Sequence, residues 1–263
     1  MNSLESGNAD IWVHDLIRST KTRLTFDTAA ERTPTWSPSG GEIAYWVQDD
    51  GGNSRLMRKA ADGTGEAVVL VEAEDNHPGP DWSRDGRYLV YAARNRETRN
   101  NIRYLRLETG GGATEPLTFL STPATEAAPK LSPDGRFLAY SSDESGRNEV
   151  YVRPFPDGAG KWQASVNGGW KPRWSRDGKE LYYVEGNALL TVPVSTEPGF
   201  TLGQPRKLFE TDDLISSVAS PTYDVSADGR RFVTIAPVEQ DESPPKIRLV
   251  QNWYEEFRER EQD

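Results

Sequence analysis

The chain has 263 residues, 41 of them acidic and 31 basic, for a formal net charge of −10. That excess, with no run of Lys or Arg, argues against nucleic acid and against an anionic membrane surface, since both reward clustered positive charge. There is no cysteine, hence no disulfide, thiol nucleophile or thiolate metal site, and no segment nears the roughly 18 apolar residues of a membrane-spanning helix.

In chain order, residues 1–9 read as a flexible lead-in with neither the basic start nor the apolar core of a signal peptide. Two β-rich runs follow at 10–16 and 22–26, an N-terminal strand pair over 10–26. Then comes a motif that recurs five times, SxDG followed by a short apolar run. The copies are WSPSGGEIAY from Trp36, WSRDGRYLVY from Trp82, LSPDGRFLAY from Leu131, WSRDGKELYY from Trp174 and VSADGRRFVT from Val225. Their intervals of about 43 to 51 residues, on strand-like segments, are the signature of a β-propeller.

Each copy predicts a strand before the motif (A), a tight turn at SxDG, a strand after it (B) and two more strands (C and D). Complete four-stranded antiparallel blades are expected over 33–71, 79–120, 128–166 and 171–210, and a last blade over 221–252. The whole, 1–263, is one all-β propeller domain. Beyond it Asn252 to Glu255 reads as a capping box, opening a short helical tail over 253–263 that would act as a lid on the last blade.

The strand count does not close evenly. There are five A, five B and five D runs but six C runs, at 10–16 and 246–250 among others. Either 10–16 or 246–250 pairs with the N-terminal D strand, and the other must go elsewhere. Two geometries follow: a closed five-bladed ring with a displaced strand, or a six-bladed type with one incomplete blade. The second leaves an open edge, which invites a homodimer.

The repeats resemble the TolB-like, WD-repeat-like propeller repeat of bacteria, with Asp-Gly kept at Asp85, Asp134, Asp177 and Asp228 and replaced by Ser39-Gly40 in the first copy. RLTFD from Arg23, SDESGRNEVYVRPFP from Ser142 and NWYEEF from Asn252 look more particularly like the propellers C-terminal to bacterial serine/threonine kinase domains. That resemblance implies a six-bladed propeller of which this chain is a truncated member, a recognition or sensor role, and no catalytic residues to carry over. A larger membrane-anchored parent would put the propeller in the periplasm.

The chemistry-bearing motifs point the same way. There is no G-x-S-x-G elbow, no H-E-x-x-H and no calcium loop, so no metal or cofactor is expected. The recurring SxDG aspartates are read as turn formers, because Asp bonds its own backbone locally. One repeat position stands out, just before each motif: Thr35, Asp81, Lys130, Arg173 and Asp224. On innermost strands these form a ring around the channel, read as a mutually neutralising ion-pair network, with a polar pocket for a small ligand or ion as the alternative. Glu31, His77, Glu126 and Trp170 are expected at one mouth of that channel. The function predicted is a non-catalytic module recognising a protein or peptide partner. The alternative is a channel-mouth hydrolase of a carbohydrate or other small substrate, using Glu31, Glu126 and Asp81 as paired carboxylates.

Overall fold

The computed structural model describes residues 2–3, 8–74, 79–95, 99–107, 113–215, 223–226, 228–235 and 247–250. His77 and the predicted helical tail 253–263 lie outside the described residues. Six antiparallel sheets follow one another along the chain. Sheet I contains β1 (Asn2–Ser3), β2 (Asp10–Asp15) and β3 (Thr20–Arg23). Sheet II contains β4 (Ala30–Trp36), β5 (Glu42–Gln48), β6 (Asn53–Ala60) and β7 (Val68–Glu74). Sheet III is β8 (Asp81–Trp82), β9 (Tyr88–Asn95), β10 (Arg99–Arg106) and β11 (Leu117–Leu120), and sheet IV is β12 (Glu126–Leu131), β13 (Phe137–Ser142), β14 (Glu149–Pro154) and β15 (Trp162–Gln163). Sheet V adds a fifth strand: β16 (Trp170–Trp174), β17 (Glu180–Glu185), β18 (Ala188–Ser195), β19 (Thr201–Leu202) and β20 (Arg206–Glu210). Both β19 and β20 pair with β18. Sheet VI is β21 (Tyr223–Val225), β22 (Phe232–Ile235) and β23 (Ile247–Val250). A single 3-10 turn, Asp212–Ile215, is the helical element among the described residues.

Each four-stranded sheet runs A-B-C-D from the inside outward. The A strands β4, β8, β12 and β16 touch in succession around the axis. The surplus C strand is resolved by giving each end its own partners: β2 pairs β3, while β23 stays on β22. Asn2 and Ser3, inside the segment expected to be a flexible lead-in, pair with Ile11 and Asp10, so β1 stands where a B strand would. Asn8 Nδ2 also donates to the Asp27 and Ala29 carbonyls at 2.8 Å, and Glu31 N to the Ala9 carbonyl at 2.6 Å.

The core is a series of seams between neighbouring sheets, and the B strands supply two seams at once. A strand buried on both faces reads as a continuous apolar run, which is why IAYWV, YLVYA and FLAY follow the turns. On β5, Ile43, Tyr45 and Val47 face sheet I, while Ala44 and Trp46 face sheet III. On β9, Leu89, Tyr91 and Ala93 face sheet II, and Val90 faces sheet IV. On β13 and β17 the same alternation continues, with Leu138 and Tyr140 against Phe137 and Ala139, then Leu181 and Tyr183 against Tyr182 and Val184. Large aromatics fill these seams edge to face, as Trp46 does on Tyr91 at 5.7 Å between centroids. Among the described residues no such core cluster joins sheet VI to sheet I.

Candidate functional site

The repeated turn is built the same way in the four copies that keep Asp-Gly. In the second copy Ser83 Oγ donates to Asp85 Oδ1 at 2.7 Å, Arg87 N donates to the same oxygen at 3.0 Å, and Tyr88 N donates to Ser83 Oγ at 2.8 Å. Ser132 with Asp134, Ser175 with Asp177 and Ser226 with Asp228 repeat it. The glycine takes positive φ, for example 77° at Gly86 and 73° at Gly178. The Ser175 hydroxyl and the Lys179 amide hold the Asp177 carboxyl below its usual range. The aspartates are therefore spent on their own turns. Asp177→Ala is expected to lower unfolding free energy by about 0.5–1.5 kcal/mol in a urea titration, the scale of one or two lost hydrogen bonds. A change below about 0.2 kcal/mol would remove the turn role.

Just upstream, the A strands carry a bulge. Three residue steps on β4 answer two on β5, between the pairs Arg32↔Trp46 and Thr35↔Ala44. The same extra residue appears between Ala127 and Lys130 and between Trp170 and Arg173. Thr33, Ala128 and Lys171 sit at its start with φ of 51°, 50° and 54°, and each precedes a proline. Non-glycine residues pay about 1 kcal/mol or more for that backbone, and such strain concentrates at functional sites.

These strands surround a cavity of about 530 Å³. Thr35, Asp81, Lys130, Arg173 and Asp224 all line it. Asp81 bridges two blades: Oδ1 pairs with Lys130 Nζ at 2.8 Å, and Oδ2 accepts from Leu131 N at 2.9 Å. Arg173 Nε lies 3.9 Å from Asp224 Oδ1, beyond hydrogen-bond reach, and the Asp224 side chain is 76% exposed. Asp224 Oδ1 instead accepts from Val225 N at 2.9 Å. Inter-blade bonds fix the frame: Trp174 Nε1 to the Lys130 carbonyl at 3.0 Å and Tyr223 OH to the Lys171 carbonyl at 2.8 Å.

Three lining cations were absent from the sequence reading. Lys171 occupies the bulge of β16; burial first, then nearby Arg173, pull its ammonium down to about 8. Its Nζ lies 4.3 Å from the centre of the Trp170 ring. Arg84 and Arg176 hold the variable position of SxDG, and Arg84 Nη1 donates to the Arg176 carbonyl at 3.1 Å. A signal was present in the sequence: that position alternates Pro38, Arg84, Pro133 and Arg176 through the first four copies. Burial, with help from Arg173, also lowers the proton affinity of Lys130, against the pull of Asp81.

Of the predicted mouth residues, Glu31, Glu126 and Trp170 do not gather there. Glu31 and Glu126 are 2% and 1% exposed and are not among the cavity lining. Glu31 accepts from Thr25 Oγ1 at 3.1 Å, and Glu126 Oε1 accepts from Thr122 Oγ1. Burial pushes each carboxyl up to about 7, with Asp10 and Asp27 adding to the effect at Glu31 and Glu144 and Asp143 at Glu126. Both stand upstream of the bulge, where the extra residue shifts the phase of side-chain alternation. Trp170 also lies outside the lining and packs on the core shared by sheets V and VI.

No family model matches the chain. Among solved structures the chain is similar to TolB from Acinetobacter baumannii, with a TM-score of 0.70 and 16% identity over 93% of this chain and 57% of that one. It is also similar to an oligogalacturonate lyase in complex with manganese, with a TM-score of 0.62 and 17% identity over 97% of this chain and 70% of that one. Among curated proteins, 93 residues are 31% identical to the Tol-Pal system protein TolB of Francisella tularensis subsp. tularensis, a match covering 35% of this chain and 20% of that protein. The fold is that of a TolB-like β-propeller.

Proposed function

We propose that this propeller is a non-catalytic module that holds a protein or peptide partner at the face where its central cavity opens. The observation that carries the reading is the cavity itself: about 530 Å³, set on the axis and walled by inner-strand residues of sheets II to VI. Such a concave site on a rigid scaffold, with a few polar groups and aromatic walls, is the usual form of a binding pocket. Trp36 lines it and is 51% exposed, so it offers contact area that the fold does not consume. The hydrolase alternative draws less support, because two of its three carboxylates, Glu31 and Glu126, are buried outside the cavity.

The reading predicts that the immobilised chain retains members of a random heptapeptide library, and that Trp36→Ala abolishes most of that retention while circular dichroism and melting stay unchanged. Retention equal in wild type and variant, or none in either, would overturn it.

The resemblance carried by Arg23–Asp27 and Ser142–Pro156 supports a sensor role in a larger, membrane-anchored bacterial signalling kinase, with the propeller in the periplasm. Sheets I and VI, at the two ends of the series, have three strands each among the described residues, which supports a homodimer through an incomplete blade. Light scattering is expected to show concentration-dependent dimerisation; a strict monomer across the range would exclude it.

A further inference from the structure

We propose that the cavity selects acidic peptides, a ligand carboxylate entering beside Arg173 and taking the place that Asp224 occupies at 3.9 Å. This rests on the reading of the cavity as a peptide site and names the chemistry of its ligand. The charge balance carries it. Five basic residues line the cavity, Arg84, Lys130, Lys171, Arg173 and Arg176, against two acidic ones, Asp81 and Asp224. The chain as a whole carries −10, so the axis is a positive focus in an acidic molecule. Walls of low dielectric concentrate such a field and raise the local concentration of anions.

The two pairs differ in what they leave available. Asp81 is committed by both oxygens, to Lys130 and to the Leu131 amide. Asp224 stands beyond hydrogen-bond reach of Arg173, is mostly solvated and already bonds its own neighbour's amide. A guanidinium with a fixed fork of donors gains two parallel bonds when a carboxylate meets it squarely. Burial first, and Arg173 second, lower the proton affinities of both Lys130 and Lys171.

A peptide fits better than a sugar. No Asn, Gln or His lines the cavity among the described residues, the Ser132 and Ser175 hydroxyls are engaged by their turn aspartates and the Tyr223 hydroxyl by the Lys171 carbonyl, which leaves Thr33 and Thr35 as the neutral hydroxyls on its wall. A polyol needs many neutral partners. An acidic side chain flanked by apolar ones needs cations between apolar walls, and Trp36, Trp82, Trp174, Pro34, Pro80 and Pro172 supply the walls.

The test uses fluorescein-labelled hexaglutamate, with hexaglutamine, hexalysine and an oligogalacturonate as comparison ligands, followed by fluorescence anisotropy on the full chain. Hexaglutamate is expected to bind, more weakly as salt rises, and to lose about tenfold in affinity in Arg173→Gln. Asp224→Asn, which removes the competing carboxylate, is expected to tighten it by a few-fold. Hexaglutamine and hexalysine should bind at least about tenfold more weakly. Oligogalacturonate binding equal to hexaglutamate would overturn peptide selectivity. Equal binding of hexaglutamine, or no effect of Arg173→Gln in a variant with unchanged melting, would overturn the charge selection. The heptapeptide library separates the two levels. Retained peptides without enrichment in Asp or Glu overturn this inference and leave the peptide site standing, whereas no retained peptide overturns both.

Discussion

Unfolding titrations are expected to find this protein more stable near pH 5 than near pH 8, by up to about 3 kcal/mol for each of two carboxyls. Glu31 and Glu126 are held at about 7 in the fold against an ordinary 4.5. Between those values the folded chain binds more protons than the unfolded one. Stability must then fall as pH rises through that window, the reverse of the usual carboxylate that gains a cationic partner. The cause is visible at Glu126: one oxygen accepts from Thr122, while Oε2 is buried with no hydrogen-bond partner among the described residues. Glu126→Gln removes the charge and should flatten the pH dependence by its share, measured as the difference in urea unfolding free energy between pH 5 and pH 8. An unchanged slope in that variant would mean the carboxyl is solvated. Lys171 works in a higher window: held at about 8 instead of 10.5, it makes stability rise with pH between those values.

Trp46→Ala is expected to cost about 3–5 kcal/mol in the same assay, the range for deleting a large aromatic from a packed core. Trp46 is 1% exposed and crosses the seam between sheets II and III to meet the edge of Tyr91. Its neighbour Tyr45 serves the opposite seam, towards sheet I. A loss below about 1 kcal/mol for Trp46→Ala would contradict the seam as described.

The turns and B strands were legible because their physics is local. SxDG closes its bonds within five residues, from Ser83 to Tyr88, and an unbroken apolar run such as Leu89–Ala93 can only be buried on both faces. The cavity was legible in part. Counting back one residue from each motif found Asp81, Lys130, Arg173 and Asp224, all of which line it. Counting back five failed at Glu31 and Glu126, because the bulge at Thr33 and Ala128 adds a residue that no periodicity reveals. The same bulge brings Lys171 into the lining. The near balance of charge expected from the ring thus became an excess of cations once Lys171, Arg84 and Arg176 joined it. The ends of the chain were least legible, since pairing of β1 with β2 depends on two residues with no strand pattern of their own.

The B strands impose something like a reading frame on the fold. Odd and even positions of β5, β9, β13 and β17 are addressed to different neighbours. Deleting one residue there would misdeliver every side chain downstream of it, exchanging the contents of two seams at once. Length variation is confined to other segments, and the repeats show where. The step from motif serine to B strand is bonded identically from Ser37 to Glu42, Ser132 to Phe137 and Ser175 to Glu180. All the drift in repeat length falls later, from the B strand to the next bulge, where a slip changes a loop or an outer strand instead of two cores.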